Sequence, residues 1–198
     1  MKEYTITRCN GMPDWNTVPA AQINELYNTA PTDITAQAQV CYDEEALYVH
    51  LSTKEKEIRA EYFGPLDEVS DDSCLEFFFA PMAGDRRYMN IEFNFNGAMY
   101  LGFGSGPSDL IRLVPERKVI DPIVNKTEDG WEITYTVPYS YIRQFFPDFK
   151  PRSGYTTRAN FYKCTGAGEG RHFLCWSLVV KQTWSFHNFD RFGTVHFE

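Results

Sequence analysis

The sequence predicts an all-β chain, an antiparallel β-sandwich of immunoglobulin-like or jelly-roll-like form with one short helical insert. Three observations predict it. Segments in which apolar and polar residues alternate recur from end to end, making about nine or ten short strands with turn residues every ten positions or so. The composition is that of a packed globular chain, with 43% apolar, 16% aromatic and 23% charged residues. Helical spacing is confined to Tyr139–Phe146, between Pro138 and Pro147, and to at most two turns within Ala20–Tyr27.

In order, residues 3–8 read as a first strand, and Gly11 to Thr32 as a long connection in which Trp15 lids the core. Thr35–Tyr42 and Ala46–Ser52 alternate around Asp43-Glu44-Glu45 and form a hairpin. Lys54 to Glu61 is charged and reads as a solvated loop. Next comes PLDEVSDDSCLEFFFAP, an acidic loop running into a strand that places Leu75, Phe77 and Phe79 on one face and Glu76 on the other. A carboxylate in so apolar a run must be paired, hydrogen-bonded or turned to a wet groove. Tyr88 to Phe95 alternates cleanly, with Asn90, Glu92 and Asn94 on its polar side, and Asn96-Gly97 offers the positive φ of a tight turn into Met99, Leu101 and Phe103. The glycine-rich Gly102–Pro107 lacks the Lys-Ser/Thr of a phosphate loop and is read as a plain loop. Lys118–Asn125 and Gly130–Val137 make another hairpin, Thr156–Cys164 carries Arg158, Asn160 and Tyr162 on one face, and His172–Trp176 and Gly193–Phe197 supply the last strands.

At 198 residues the chain suits one domain, spanning 1–198, with a core large enough to need neither disulfides nor metal. A net charge of −8, without a Lys/Arg stripe, excludes nucleic acid and favours a neutral ligand or a cation. The five cysteines match no zinc spacing and read as buried thiols, with Cys164 and Cys175 the candidate disulfide across a hairpin. The N-terminal MKEYTITRCNG has no signal-peptide core, and no run approaches the roughly 18 apolar residues of a membrane span. The expectation is a soluble chain with no membrane partner, cytoplasmic by default and periplasmic or extracellular if a leader was removed.

Catalytic patterns are weak. Asp71, Asp72, Glu76 and Glu92 could pair across a hydrolase cleft, but no spacing separates an acid from a base, and no G-x-S-x-G stretch is present. Asp67, Glu68, Asp71 and Asp72 offer hard oxygen donors to calcium outside any EF-hand spacing, with a solvated acidic loop as the competing reading. His50, His172, His187 and His196 read as packing histidines, His187 least securely because aromatics surround it. Sugar recognition needs aromatic platforms ringed by amide, carboxylate and guanidinium groups. Glu76, Asn90, Glu92, Asn94, Arg158 and Asn160 occupy the polar side of alternating strands, and Trp176 and Trp184 lie in the loop-rich C-terminal region.

Four stretches, AQVCYDEEALYVHL, SDDSCLEFFFAP with YMNIEFNFNGAMY, GWEITYTVPYSYI, and RANFYKC with HFLCWSLV and FHNFDRFGTVHF, together resemble carbohydrate-binding modules of family 9 and their family-9-like branch. That family carries a W-x-D-D/S-x-V-E-F-F motif, and its tryptophan falls here on Ser70. The resemblance implies a β-sandwich that holds a sugar between two tryptophans, with polar side chains on the hydroxyls and structural calcium. Carried over, the motif glutamate is Glu76, the second tryptophan is Trp176 with Trp184 as the rival, Arg158 and Asn160 match R-x-N-F-Y, and Asn94 lies where the family places a polar group. Tyr62 and Phe63 are the candidates to replace the missing platform.

The resulting expectation is non-catalytic carbohydrate binding. A sugar stacks on an exposed Trp176 or Trp184 and is gripped by Glu76, Asn94, Arg158 and Asn160. No cofactor is required, and calcium, if bound, sits on Asp67, Asp71 and Asp72. The alternatives are a degenerate structural or protein-interaction module and, third, a glycan-active hydrolase.

Overall fold

A computed structural model describes residues 1–115, 117–179 and 185–198. The strands are β1 (Glu3–Arg8), β2 (Ala21–Ile23), β3 (Glu25–Leu26), β4 (Thr35–Tyr42), β5 (Ala46–Lys54), β6 (Cys74–Ala80), β7 (Tyr88–Asn94), β8 (Met99–Gly104), β9 (Ile111–Arg112), β10 (Ile123–Lys126), β11 (Gly130–Pro138), β12 (Thr156–Thr165), β13 (His172–Cys175) and β14 (Gly193–Phe197), and the helix is α1 (Tyr139–Phe145). The main path across the sheet runs β10, β11, β5, β4, β1, β14, β12, β6, β7, β8, β9. It curls into a half-barrel.

The sheet is mixed, which departs from the antiparallel expectation. β1 lies parallel to both of its neighbours, β14 and β4. A parallel pair needs a crossover of about a dozen residues or more, and residues 9–34 between β1 and β4 supply one. Within that crossover the expected helical turns at Ala20–Tyr27 are strands instead. Ala21 and Ile23 are buried while Gln22 is exposed, a period of two that pairs β2 with β4, and β3 adds to β13. At the β7–β8 turn only Gly97 takes a positive φ, 74°, and the Asn94 side chain closes the loop by accepting from the Ala98 N–H at 2.9 Å. Cys175 stands opposite Tyr162 and Cys164 opposite Phe173 on β13, so the expected Cys164–Cys175 pair is out of register. All five cysteines are free thiols.

The curl brings two sets of inward side chains together. Leu75, Phe77 and Phe79 of β6 and Met89, Ile91 and Phe93 of β7 share one core with Leu47, Val49 and Leu51 of β5 and Trp131, Ile133 and Tyr135 of β11. Phe77 stacks on Phe79 at 5.4 Å and on Phe161 at 5.2 Å, forming an aromatic column along the inner face of β6 and β12. Each such side chain contributes about 1.5–3 kcal/mol on burial.

One polar junction crosses this core. Glu55, expected in a solvated loop, is 5% exposed and accepts from Trp131 Nε1 at 2.6 Å and Ser73 Oγ at 3.1 Å. Lys163 Nζ lies 3.1 Å from Glu55 Oε2 and donates to the Cys164 carbonyl at 2.8 Å. The residue after β5 is thereby tied to β11, β12 and the start of β6. Removing one partner of such a buried pair leaves an uncompensated charge, at a cost of about 3–5 kcal/mol. Lys163→Met should therefore lower unfolding stability by about that amount in guanidinium titration, and Glu55→Gln in the same background should recover part of it. Equal stability of parent and Lys163→Met would show that the pair contributes nothing.

Candidate functional site

Alternation along β6 turns Cys74, Glu76 and Phe78 away from the aromatic column. Directly opposite on β7 stand Asn94, Glu92 and Asn90, and on β12 stand Cys164, Tyr162 and Asn160. This second face is itself covered by the C-terminal segment. Phe186 lies flat on Tyr162 at 4.1 Å, His187 Nδ1 meets the Tyr88 hydroxyl at 2.8 Å, and Phe192 packs edge-on to Phe78 and Tyr88. Between the cover and the sheet remains a groove of about 290 Å3, lined by Glu76, Glu92 and Phe78 from the sheet and by Arg171, Phe173 and Phe186. Ser70, Asp71 and His187 complete its edge.

The two glutamates on the groove floor, Glu76 and Glu92, are held toward their neutral forms. Burial pushes Glu76 well above the usual carboxylate range, and the neighbouring Cys164 and Glu92 add to the shift. Glu92 is pushed up to about 8, mainly by burial, against the lowering effect of the 2.7 Å hydrogen bond from Asn90 Nδ2. Cys164 donates its S–H to Glu76 Oε1 at 3.0 Å. Burial also lowers His187, to about 4. Among the described residues, the metal-capable trio that converges is Cys74, Glu76 and Cys164, with ligand atoms within 4.8 Å of one another. Burial drives Cys74 and Glu76 toward their protonated forms, and the contact with Cys74, reinforced by burial, does the same to Cys164, which opposes a cation there.

Of the residues expected to bind ligand, Glu76 alone lines this groove among those described. Trp176 is a correction: it is 3% exposed, edge-on to Tyr4 at 6.2 Å and tilted against Phe161 at 5.5 Å. Its indole fits against Gly193, where a Cβ would fall 2.3 Å from the ring. It is a core residue and offers no platform. Trp184 lies outside the described residues. Asn160 is fully buried and clamps Ser177, donating to its carbonyl and accepting from its N–H, each at 2.9 Å. Arg158 sits over the Phe189 ring at 4.9 Å and donates to the Phe192 carbonyl, bracing the cover from its far end. Asn94 is buried beneath the acidic loop, with Nδ2 on Asp72 Oδ2 at 2.8 Å and on the Tyr62 carbonyl at 2.9 Å. Neither Tyr62 nor Phe63 reaches the groove.

Two of the expected calcium donors, Asp72 and Asp67, are engaged in hydrogen bonds within the chain. Asp72 is fully buried and its oxygens accept from Arg59 Nη1 at 2.5 Å and from the Glu61 and Tyr62 N–H groups, each at 2.9 Å, besides Asn94. A guanidinium occupies the place a cation would take. Asp67 Oδ2 caps the Phe63 and Gly64 N–H groups, and these bonds hold its carboxyl below the usual range. Asp71 stands apart, at the groove edge.

The residues not anticipated from sequence are Arg171, Phe173 and Phe186. Phe186 belongs to an aromatic-rich loop, which was the one signal pointing to it. A larger cleft of about 500 Å3 lies beside Glu55, between charged residues such as Asp33, Lys56, Glu57 and Glu169. Its lining holds no Phe, Tyr or Trp, and Glu55 is committed to Lys163, so the aromatic-edged groove is the better ligand site.

The carbohydrate-binding family 9 profile matches residues 12–197. The chain belongs to carbohydrate-binding family 9. Such modules are typically non-catalytic. Among solved structures, a Bacteroides uniformis protein provisionally described as carbohydrate-binding superposes on this family 9 chain with a TM-score of 0.84 at 24% identity, covering 100% of this chain and 99% of that one. A family 9 module from Caldicellulosiruptor kristjanssonii in complex with glucose gives 0.70 at 15% identity over 100% and 96% of the two chains. With cellotriose bound the corresponding values are 0.71, 14%, 100% and 94%. These likenesses establish the shared fold. No curated protein sequence matches the chain.

In this family 9 module the raised carboxyls carry a pH signature. A carboxyl whose pKa is raised by folding stabilises the native state while protonated, fully so below its ordinary value of 4.5, and that contribution is lost as pH climbs through about 8. The thermal midpoint should fall between about pH 5 and about pH 8.5, and fall less in Glu92→Gln. Parallel pH profiles for parent and variant would contradict the assignment.

Proposed function

We propose that this family 9 module binds a sugar without catalysis in the groove over Glu76. The observation that carries the reading is that two positions of the family motif, Glu76 and the tryptophan position held here by Ser70, line the same aromatic-edged groove. Protonated carboxyls at Glu76 and Glu92 both donate and accept, which suits the alternating demands of sugar hydroxyls, and Arg171 adds donors from the rim. Phe173 and Phe186 take the role of apolar surface for the C–H face of the ring. Asn94, Asn160 and Arg158 hold the acidic loop, the Ser177 backbone and the cover in place, and Trp176 belongs to the core. They are not assigned to the ligand.

The same geometry disfavours a hydrolase. Glu76 and Glu92 stand directly opposite on adjacent strands of one face, where Cβ atoms lie about 4.5–5.5 Å apart. They form a single wall. Hydrolysis requires carboxyls flanking the scissile bond, one of them ionised as nucleophile or base, and burial keeps both of these neutral.

Calorimetric titration tests the proposal, with glucose and cellotriose as first probes and a wider panel of hexoses and pentoses after them. Heat should appear with the parent, and Phe186→Ala or Arg171→Ala should weaken binding about tenfold or more, in line with a contact of about 1–3 kcal/mol. Circular dichroism confirms that each variant is folded. Absence of heat across the panel, or unchanged affinity in both variants, would overturn the groove as a sugar site.

A further inference from the structure

The register that parts Cys164 from Cys175 sets it directly opposite Cys74, on the last rung of the β6–β12 ladder. Opposed residues of an antiparallel pair point to one face, with Cα atoms about 4.5 or 5.5 Å apart according to whether the rung is hydrogen-bonded. Both spacings lie within the range of about 4.4–6.8 Å that a disulfide spans. The two sulfurs already converge, within 4.8 Å of each other, and the thiols are in contact. They share one small apolar cluster with Val69 and Ala98.

None of the other cysteines stands opposite another. Cys175 faces Tyr162, and its thiol meets the Glu25 carbonyl at 3.6 Å in a separate apolar cluster. Cys41 faces Thr7 on the parallel β1–β4 ladder, so Cys9, two residues beyond Thr7, reaches it only diagonally. The folded sheet therefore selects one pair from the five thiols.

We propose that Cys74 and Cys164 are a site of oxidative modification, closing into a cross-strand disulfide as the chain folds in the presence of a low-molecular-weight disulfide such as oxidised glutathione. One cysteine thiolate attacks the glutathione disulfide, forming a mixed disulfide and releasing one reduced glutathione. The second thiolate attacks the bound cysteine sulfur and expels the other, so that two protons and two electrons pass from the chain to glutathione. Exchange precedes burial. In the finished sheet Cys74 is fully buried and its thiol is pushed up to about 12, which leaves little thiolate, and the same enclosure then shields the bridge. The bond ties the start of β6 to the end of β12 and closes nearly half of the chain into one loop, which constrains the unfolded state. A bridged sulfur has no proton to donate, so oxidation removes the Cys164 hydrogen bond to Glu76 Oε1 and links the groove floor to the redox state of the pair. The Ser70 carbonyl, 3.3 Å from Cys164 Sγ, keeps the Gly166 N–H at 2.8 Å. The bridge itself does not rest on the sugar-binding reading.

Oxidative refolding of the full chain from guanidinium, in equal concentrations of reduced and oxidised glutathione, tests the pairing. Two of the five thiols should be lost to a thiol-reactive dye under denaturing conditions, with a mass lower by two hydrogens. Proteolysis without reductant should yield the Cys74 and Cys164 peptides joined. The bridged form should unfold at a higher guanidinium concentration than the same chain refolded in excess reductant. Cys9→Ser and Cys175→Ser, each shown to be folded by circular dichroism, should form the same bridge, whereas Cys164→Ser should keep all of its remaining thiols. Five free thiols in the refolded parent, or a bond joining any other pair, would overturn the assignment.

Discussion

The half-barrel depends on the buried contact between Glu55 and Lys163. Neither group could be taken from water alone, since the desolvation of one charge costs several kcal/mol. The pair is tolerated because Trp131, Ser73 and the Cys164 carbonyl supply further hydrogen bonds to the two groups. Those partners come from both halves of the sheet, so the electrostatic requirement becomes a geometric one. With Lys163 drawn inward, strict alternation on β12 sends Tyr162 and Cys164 outward, where they face Glu76 and Cys74. The composition of the groove floor follows from where the ammonium must go.

A second charged knot holds the groove's edge. Arg59, Asp72 and Asn94 bind the acidic loop to β7, and Arg112 fastens the same loop to β9 through the Leu66 and Asp67 carbonyls. The segment Val69–Asp71 therefore comes to the groove as one short 3-10 turn, with Ser70 and Asp71 at its rim. An internal guanidinium does here what a bound cation does elsewhere: it lets several acidic residues share a small volume without mutual repulsion. The loop can then be acidic and ordered without calcium on Asp72.

Strand positions and facing were largely legible in the sequence because a period of two is a local property. Leu75, Phe77 and Phe79 declared one face of β6, and Asn90, Glu92 and Asn94 declared one face of β7. What periodicity cannot show is whether the opposite face is open. The polar set on β6, β7 and β12 looked like a solvated or ligand-facing surface, yet Asn94 and Asn160 are fully buried beneath the acidic loop and the Ser177 backbone. Trp176 failed for a related reason. Its burial depends on the missing Cβ of Gly193, seventeen residues further on, a contact invisible to residue type and spacing. The parallel pairing of β1 was equally hidden, because a long crossover reads from sequence as a loop.

Glu76 was legible for the opposite reason: it broke the local pattern. A sequence that specifies its fold consistently has no cause to set a carboxyl beside Phe77 and Phe78, or to place a second one directly across the ladder at Glu92. Two apolar side chains there would fold at lower cost, since burial strains both groups toward their neutral forms. The retained cost has a chemical return. Neutral carboxyls offer a donor and an acceptor each, in a groove edged by Phe173 and Phe186, and they do so without adding charge to a chain that already carries −8. An uncharged polyhydroxylated ring meets both the polar rim and the apolar face of such a surface. The energetic anomaly and the proposed specificity are thus one feature, seen first as an unfavourable residue in a strand and then as the floor of a binding site.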